Sequence, residues 1–434
     1  MTPSATTPHG NWMNNSAGYQ MLLVFLLSLN FGIVFFDRQA LNVLMPSVKP
    51  ELGLTDFQVG VIAGGLSFTW AIAAFFYGRL SDSLGKRKVL LIFATLAFSA
   101  CSFLTGLATT FALLLGARLL MGAAEGGVMP ISHAMVASEV DPKRRGLAQG
   151  VAQNLGSNLL GSFAAPVVLV AFASAFGWRE AFYLAGIPGI ISAILMWFML
   201  KEPLPVAKPA SHEEQSMTIA QAFKVRNMWV CVVVGVLMVA HFVITWSFMP
   251  LYLVETRGFD QITGSWIMGS LGIAAAIYSF AISGLSDYIG RKPVMVFLPF
   301  LSLVGPLGVL LLDPADFTGT GMFGLSAYAT VLIPIFFIGW MVNGTFPIFM
   351  ATIPSETFKP IHHATVLGLA MGFCEVLGGV FGPPVAGMLN DAFGMDAFLY
   401  VLMVLAVISG IVATGLRETA PAALRRRGET FEPA

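Results

Sequence analysis

The sequence predicts an all-α membrane protein whose twelve transmembrane helices fall into two similar halves of six. Three observations carry that prediction. Of 434 residues, 56% are hydrophobic and 11% charged, against about 25% charged in ordinary globular chains. The apolar residues gather into runs of about 20, the length that crosses a bilayer as a helix. Lys and Arg concentrate in alternate loops, as they do in loops retained by the cytoplasm. Such a chain cannot hide its apolar surface in water, which excludes a soluble enzyme, a secreted disulfide scaffold and a disordered protein. Lys plus Arg and Asp plus Glu total 23 each, so no overall field points to nucleic acid.

Taken in order, the polar stretch Met1 to Gln20 lacks the positive flank and cleavage site of a signal peptide, so the first apolar run is expected to be retained. Spans 1 to 12 are expected at 20–45, 57–79, 89–108, 111–137, 146–171, 180–200, 228–254, 262–283, 293–312, 328–353, 364–389 and 397–416. Little more than Thr109 and Thr110 separates the third from the fourth. With the N-terminus inside, 18 of the 23 Lys and Arg face the cytoplasm; only Lys49, Arg179 and Arg257 fall outside, and Arg38 and Arg118 lie within spans. Both termini are therefore expected in the cytoplasm of a cell that carries the chain in its inner or plasma membrane. Cys101, Cys231 and Cys374 sit in apolar runs with no metal-ligand spacing and read as small core residues.

Between Lys201 and Asn227 the chain turns polar, with Pro203, Pro205, Pro209 and the pair Glu213 and Glu214. This marks a linker, giving an N-terminal bundle (1–200), a linker (201–227), a C-terminal bundle (228–418) and a cytoplasmic tail (419–434). The halves echo one another. The loop after span 2 reads Gly78-Arg79-Leu80-Ser81-Asp82-Ser83-Leu84-Gly85-Lys86-Arg87-Lys88, and 205 residues on comes Ser283-Gly284-Leu285-Ser286-Asp287-Tyr288-Ile289-Gly290-Arg291-Lys292. Pro130 and Ser138-Glu139 recur as Pro347 and Ser355-Glu356, 217 residues on. Two echoes in register point to a duplication. The loop has a physical role as a latch between the bundles: basic residues offset the carbonyls at a helix end, Asp82 can cap a helix or pair with an arginine, and Gly78 and Gly85 allow a tight turn. The plainer reading is an ordinary positive-inside loop.

These loops, with Arg118-x-x-x-Gly122 in span 4, resemble the signature motifs of the major facilitator superfamily. The resemblance covers almost the whole chain and implies two six-helix bundles, related by a pseudo-two-fold axis along the membrane normal, that rock about a central site. Gly122, Gly126 and Gly127, with Gly378, Gly379 and Gly382, suit helices that approach closely and slide. Pro130, Pro166, Pro250, Pro347, Pro383 and Pro384 mark places where a span can bend.

Asp37, Arg38, Arg118, Glu125 and Glu375 fall deep inside spans. Each costs about 2.5 to 3.5 kcal/mol even on the lenient insertion scale, so a span keeps it only when paired or facing a wet cavity. At about 1.5 Å per residue, Asp37 and Arg118 are nearly level. Arg118 and Glu125 stand two turns apart on one face, with Gly122 expected to leave that face open. A static buried salt bridge is the alternative for each. Glu375 is the sole carboxylate deep in the C-terminal half and has no arginine there; it is a candidate proton-coupling site, with a protonated, hydrogen-bonded structural carboxyl as its alternative, and the two readings stand level. His241 lies near the midplane and is a candidate proton carrier, with packing as its alternative; His133 is read as structural. Trp246, Phe248 and Tyr252 offer apolar walls, and Asn30, Asn42, Gln153, Asn154, Asn158 and Asn343 are polar candidates for the cavity, Gln153 and Asn154 foremost.

Within the superfamily, Asp37-Arg38, the stretch Gly122 to Gly127 and the stretch Gly177 to Gly189 resemble the anion:cation symporter family. That resemblance implies proton- or sodium-coupled import of organic acids such as sugar acids or aromatic carboxylates, with Arg38 contacting substrate and Asp37 and Glu125 binding protons. Spinster-like lipid transporters share the Asp-Arg and Arg-to-Glu arrangement and remain the main alternative. The physical logic favours an anion, because an arginine in a dry cavity offers bidentate donors matched to a carboxylate. Drug efflux by proton exchange is disfavoured by two buried arginines. No Ser/His/Asp constellation, His-Glu-x-x-His stretch or phosphate-cradling glycine loop suggests an enzyme. The expected partners are a small organic anion, protons and the lipid bilayer, in a chain that works as a monomer without cofactor or metal.

Overall fold

The computed structural model describes residues 13, 15–141, 143–203, 218–359, 362–429 and 431, with all their side chains except those at 78, 79, 82, 323, 364 and 365. Eleven helices among them are long and apolar enough to cross a membrane: Ala17–Leu52, Asp56–Tyr77, Arg87–Gly106, Phe111–Glu139, Arg145–Phe176, Trp178–Met199, Arg226–Glu255, Gln261–Ile289, Arg291–Leu311, Ala327–Thr357 and Val366–Phe393. Ala397–Ala413 is a shorter twelfth, and at about 1.5 Å per residue it still reaches most of the way across the hydrocarbon core. Spans 1 to 6 form one half and spans 7 to 12 the other; residues 204–217 of the expected linker lie outside the described residues.

Local sequence sets the helix ends. Ser16 accepts a hydrogen bond from the Tyr19 N–H to open span 1, which stops at Gly53 in the left-handed region (φ 61°). Thr55 and Gln58 form a capping box at the start of span 2, and that helix ends at Gly85 (φ 63°). Large apolar side chains such as Phe76, Phe198 and Phe393, 64, 80 and 79% exposed, face outward where lipid would lie. Spans 1, 5 and 8 run past the expected limits, to Leu52, Phe176 and Ile289, while spans 3, 6, 9 and 12 stop slightly short, at Gly106, Met199, Leu311 and Ala413, because local caps and turns rather than hydropathy end a helix. The tail carries a short helix, Pro421–Arg427, that apolar-run counting did not foresee.

Proline alone does not decide where helices bend. Pro250 sits inside the unbroken helix of span 7. Span 4 instead breaks at Gly126 and Gly127, ahead of Pro130. Three spans depart from α-helical winding near their middles. Span 5 is π-wound over Val151–Leu155 and Ser157–Ala164, span 10 passes from a 3-10 turn (Trp340–Thr345) to a π stretch (Ile348–Thr352), and span 11 is π-wound over Cys374–Val380. Such stretches often mark functional sites.

The molecule has a basic face, bearing the loops after spans 2 and 8 and the C-terminal helix, and an opposite face. The halves are fused toward the opposite face. There one apolar core runs through both, joining Leu44, Val48 and Leu54 to Tyr252, Leu253 and Ile267. Toward the basic face, separate cores serve each half: Leu23, Ile131 and Met196 in one, Met228, Phe358 and Val366 in the other. Glycine makes the fusion possible. A Cβ on Gly60 or Gly64 of span 2 would strike the Pro383 or Val380 carbonyl of span 11, and one on Gly387 would strike the Asp56 carbonyl. Polar contacts seal the same face: Lys49 Nζ lies 2.9 Å from Glu255 and 2.7 Å from Asp56, Ser47 donates to Gln261 at 3.0 Å, and Asp391 accepts from the Asp56 and Phe57 N–H groups at 2.9 Å each.

Candidate functional site

Between the halves lies a cavity of about 330 Å³, capped by the seal on the opposite face. Arg38 of span 1 enters it beside Phe35 and Trp70, 5.6 and 6.0 Å from their ring centroids, and donates through Nη2 to Ser67 Oγ at 3.4 Å. A guanidinium has five N–H donors, so most of Arg38's remain for a cavity occupant. Arg118, Gln153, Asn154, Asn158, Asn42, Trp246 and Asn343 also line the space. Gln153 and Asn154, Asn343, and Glu375 sit on the irregularly wound stretches of spans 5, 10 and 11 respectively.

Behind this wall, Asp37 Oδ1 accepts from Ser102 Oγ at 2.9 Å, while its second oxygen has no partner. Arg118 is 1% exposed, stacks 5.3 Å from the Phe182 ring centroid and leaves Nε and Nη2 without hydrogen bonds. Both carboxyl oxygens of buried Glu125 are likewise unpartnered. No ion pair among the described residues locks these three together, so the arrangement differs from a static salt bridge. Unpaired buried charges are costly, and groups in this position gain from any change that neutralises or pairs them. The glycine spacing departs from expectation here. The face at Gly122 is not open: a Cβ there would strike the Leu66 carbonyl and Thr69 hydroxyl of span 2, and one on Gly126 would meet the Trp70 carbonyl at 2.6 Å. The glycines seat span 2 against span 4, and Glu125 beside them is buried, behind the described residues that line the cavity.

Other candidates fall elsewhere. His241 stands apart from the cavity, its Nδ1 3.2 Å from the Leu402 carbonyl, in a small crevice with Ser302, Gly305 and Gly339. Asn30 accepts from Thr95 at 3.2 Å and Ser192 at 3.0 Å, tying spans 1, 3 and 6 rather than facing cargo. Tyr252 donates to Asp396 at 2.7 Å and Phe248 packs on Phe398, both away from the cavity. Sequence reasoning missed Ser67, Trp70, Phe242 and Trp340, which line it. Three of the chain's eight tryptophans, Trp70, Trp246 and Trp340, do so, and the scarcity of that residue was the usable signal.

The repeated loops sit on the basic face. Gly85 takes its left-handed turn as the motif requires, and Gly290 has φ 112°. Arg87 donates to the Ala134 carbonyl at 3.2 Å and Ser138 at 3.5 Å. Arg291 pairs with Asp287 at 2.6 Å and Glu356 at 2.9 Å. The two sequence echoes therefore meet in space, each arginine reaching the Ser-Glu pair of its own half. The side-chain surroundings of Gly78 and Asp82 lie outside the described residues.

Comparison with known proteins follows the same outline. The sequence profile of the Major Facilitator Superfamily matches residues 27–379. The probable sulfoacetate transporter of Cupriavidus necator is 26% identical over 86% of this chain and 84% of its own length. The hexuronate transporter of Bacillus subtilis is 27% identical over 88% and 90%. In structure, an inward-facing, occupied bacterial homologue of the human lysosomal transporter Spinster superposes with a TM-score of 0.73, at 18% identity, over 97% of this chain and 100% of that one; at that identity the likeness concerns the fold alone.

Proposed function

This chain belongs to the Major Facilitator Superfamily and is a multi-pass membrane transporter rather than an enzyme; from that premise we propose that it imports a small organic anion together with protons. The observation that carries the proposal is Arg38, a guanidinium set in the central cavity with most of its donors unclaimed. A carboxylate or sulfonate matches that fork, and charge-assisted bonds of this kind are the strong ones. The sulfoacetate and hexuronate named for the two relatives are both organic anions.

Asp37 and Glu125 are the proposed proton sites. An ionised Glu125 near the cavity repels an anion, and protonation removes that repulsion. The basic face is taken as cytoplasmic, because retained loops carry Lys and Arg; on that assignment the sealed face is external and the cavity faces inward. A proton enters first from outside, the anion pairs with Arg38, the bundles rock, and both leave inward. One proton with one monoanion moves no net charge; each further proton adds about 2.3 kcal/mol per 100 mV of membrane potential. The loops after spans 2 and 8 hold each half's own helices in this state and are proposed to latch the halves when the cavity faces outward. The tryptophan-lined cavity of about 330 Å³ lies at the small end of ligand sites, which favours a compact solute over a long-chain lipid.

The experiment is uptake of labelled organic acids into proteoliposomes under an imposed pH gradient. Uptake should accelerate with the gradient and vanish in Arg38→Ala; an Arg38→Ala carrier that retains wild-type affinity rejects the anion site.

A further inference from the structure

At the basic face, one side chain clamps spans 7 and 12 together. Asn227 accepts from the Arg417 N–H at 2.8 Å and donates to the Arg417 carbonyl at 3.2 Å, which fixes the chain just past span 12 against the first turn of span 7. Arg226 opens that turn, and a Cβ on Gly415 of the same chain end would lie 3.9 Å from its Nη2. Two arginines from different spans therefore share one rim, with exposed Lys224 two residues before Arg226. Both arginines are exposed, and neither side chain forms an ion pair or hydrogen bond among the described residues.

The acid next in sequence is already committed. Glu418 accepts from the Arg291 N–H at 2.8 Å and the Lys292 N–H at 3.2 Å, and so caps span 9. The N-terminal half carries the same device 216 residues earlier: Leu200-Lys201-Glu202 matches Leu416-Arg417-Glu418, and Glu202 accepts from the Lys88 N–H at 2.9 Å. The halves differ at the cation. Lys201 Nζ lies 4.9 Å from the Tyr19 ring centroid, so its charge has a partner inside its own half, whereas Arg226 and Arg417 have none among the described residues.

Apolar surface continues from this rim toward the middle of the spans. Trp229 and Val233, three and seven residues after Arg226 and so on its side of span 7, are 42 and 38% exposed, and Ile411, four residues before Gly415, is 57% exposed. Two like charges held close together gain from an anion placed between them, and guanidinium forks match phosphate oxygens. Tryptophan at a span end sits where lipid headgroups lie. A soluble anion would use the arginines and leave the apolar surface below them idle; an amphiphile uses both. We propose that the basic-face ends of spans 7 and 12 form a binding site for an anionic phospholipid, with Arg226 and Arg417 holding its phosphate and Trp229 and Ile411 lying along its acyl chains. The site belongs wholly to the C-terminal half, so rocking of the bundles leaves it intact and the lipid travels with that half.

Native mass spectrometry of the purified full chain in neutral detergent, titrated with phosphatidylglycerol or with phosphatidylcholine of the same acyl chains, tests the proposal. Phosphatidylglycerol should be retained at a roughly tenfold lower concentration than phosphatidylcholine. The double variant Arg226→Gln, Arg417→Gln should lose that preference while its phosphatidylcholine retention stays at the wild-type level, which shows that it is folded. Lys201→Gln should keep the preference, and excess inorganic phosphate should not displace the lipid. Equal retention of the two lipids by the wild-type chain, or a preference that survives in the double variant, overturns the site. A preference lost equally in Lys201→Gln overturns it too, since the lipid would then read the whole basic face rather than these two arginines. Displacement by inorganic phosphate overturns the lipid assignment in favour of a soluble anion.

Discussion

Replacing Asp391 by Ala and Glu255 by Gln should tip the carrier toward opening on its sealed face. Asp391 accepts two backbone N–H bonds at 2.9 Å from the first residues of span 2. That is a helix-capping arrangement supplied by the other half, and losing such a cap costs about 0.5–2 kcal/mol. Lys49 and Glu255 pair at 2.9 Å with side chains 18% and 33% exposed, so solvent screening limits their bond to about 1 kcal/mol or less. Both contacts join the halves only while this face is shut, so their loss falls on the closed state. About 1–3 kcal/mol corresponds to a 5- to 150-fold change in the equilibrium. The assay is labelling of a cysteine placed at Val59, which lines the cavity beneath the seal and is 2% exposed, with an impermeant maleimide added to whole cells. The native cysteines are buried and contribute little background. Labelling at least fivefold faster than in the Val59→Cys parent is expected. A rate equal to or below the parent's refutes the reasoning, since the contacts would then not hold this face closed.

Two further outcomes follow from packing. Gly156→Val should lower the melting temperature and the folded yield, because even a Cβ there overlaps the Ser28 carbonyl and overpacking costs about 1–3 kcal/mol; Gly116→Ala, which meets nothing within 4 Å, is the matched control and should leave both unchanged. His241→Leu should lower stability by about 0.5–1.5 kcal/mol through the lost bond to the Leu402 carbonyl, measured by thermal unfolding, while the pH dependence of uptake keeps its shape.

What the sequence discloses about such a chain is depth, and what it conceals is direction. Residue counting places Asp37 and Arg118 at one level, and the structure finds both in one buried group. Counting also places Asn30, Asn42 and His241 well inside spans, yet only Asn42 of the three lines the cavity. In helices that are apolar on every side, hydrophobic periodicity does not mark which face meets lipid, partner helix or cavity. Gly122 shows the same limit: a small residue signals close approach but not whether helix or empty space comes near. The duplication was legible because its loops repeat residue for residue, and Arg87 with Ser138 and Arg291 with Glu356 show why the two echoes recur together. The π and 3-10 stretches of spans 5, 10 and 11 were legible only in part: Pro166, Pro347 and Pro383 border them, yet Pro250 lies inside unbroken helix, so a proline marks where winding can change without fixing whether or how it does.

The proposed transport cycle turns on buried charges that change state as cargo passes, and Glu125 is the place to measure it. In proteoliposomes loaded with unlabelled organic acid, Glu125→Gln should abolish accumulation driven by a pH gradient while preserving exchange of internal for external substrate. Gradient-driven accumulation at the wild-type level in Glu125→Gln would contradict it.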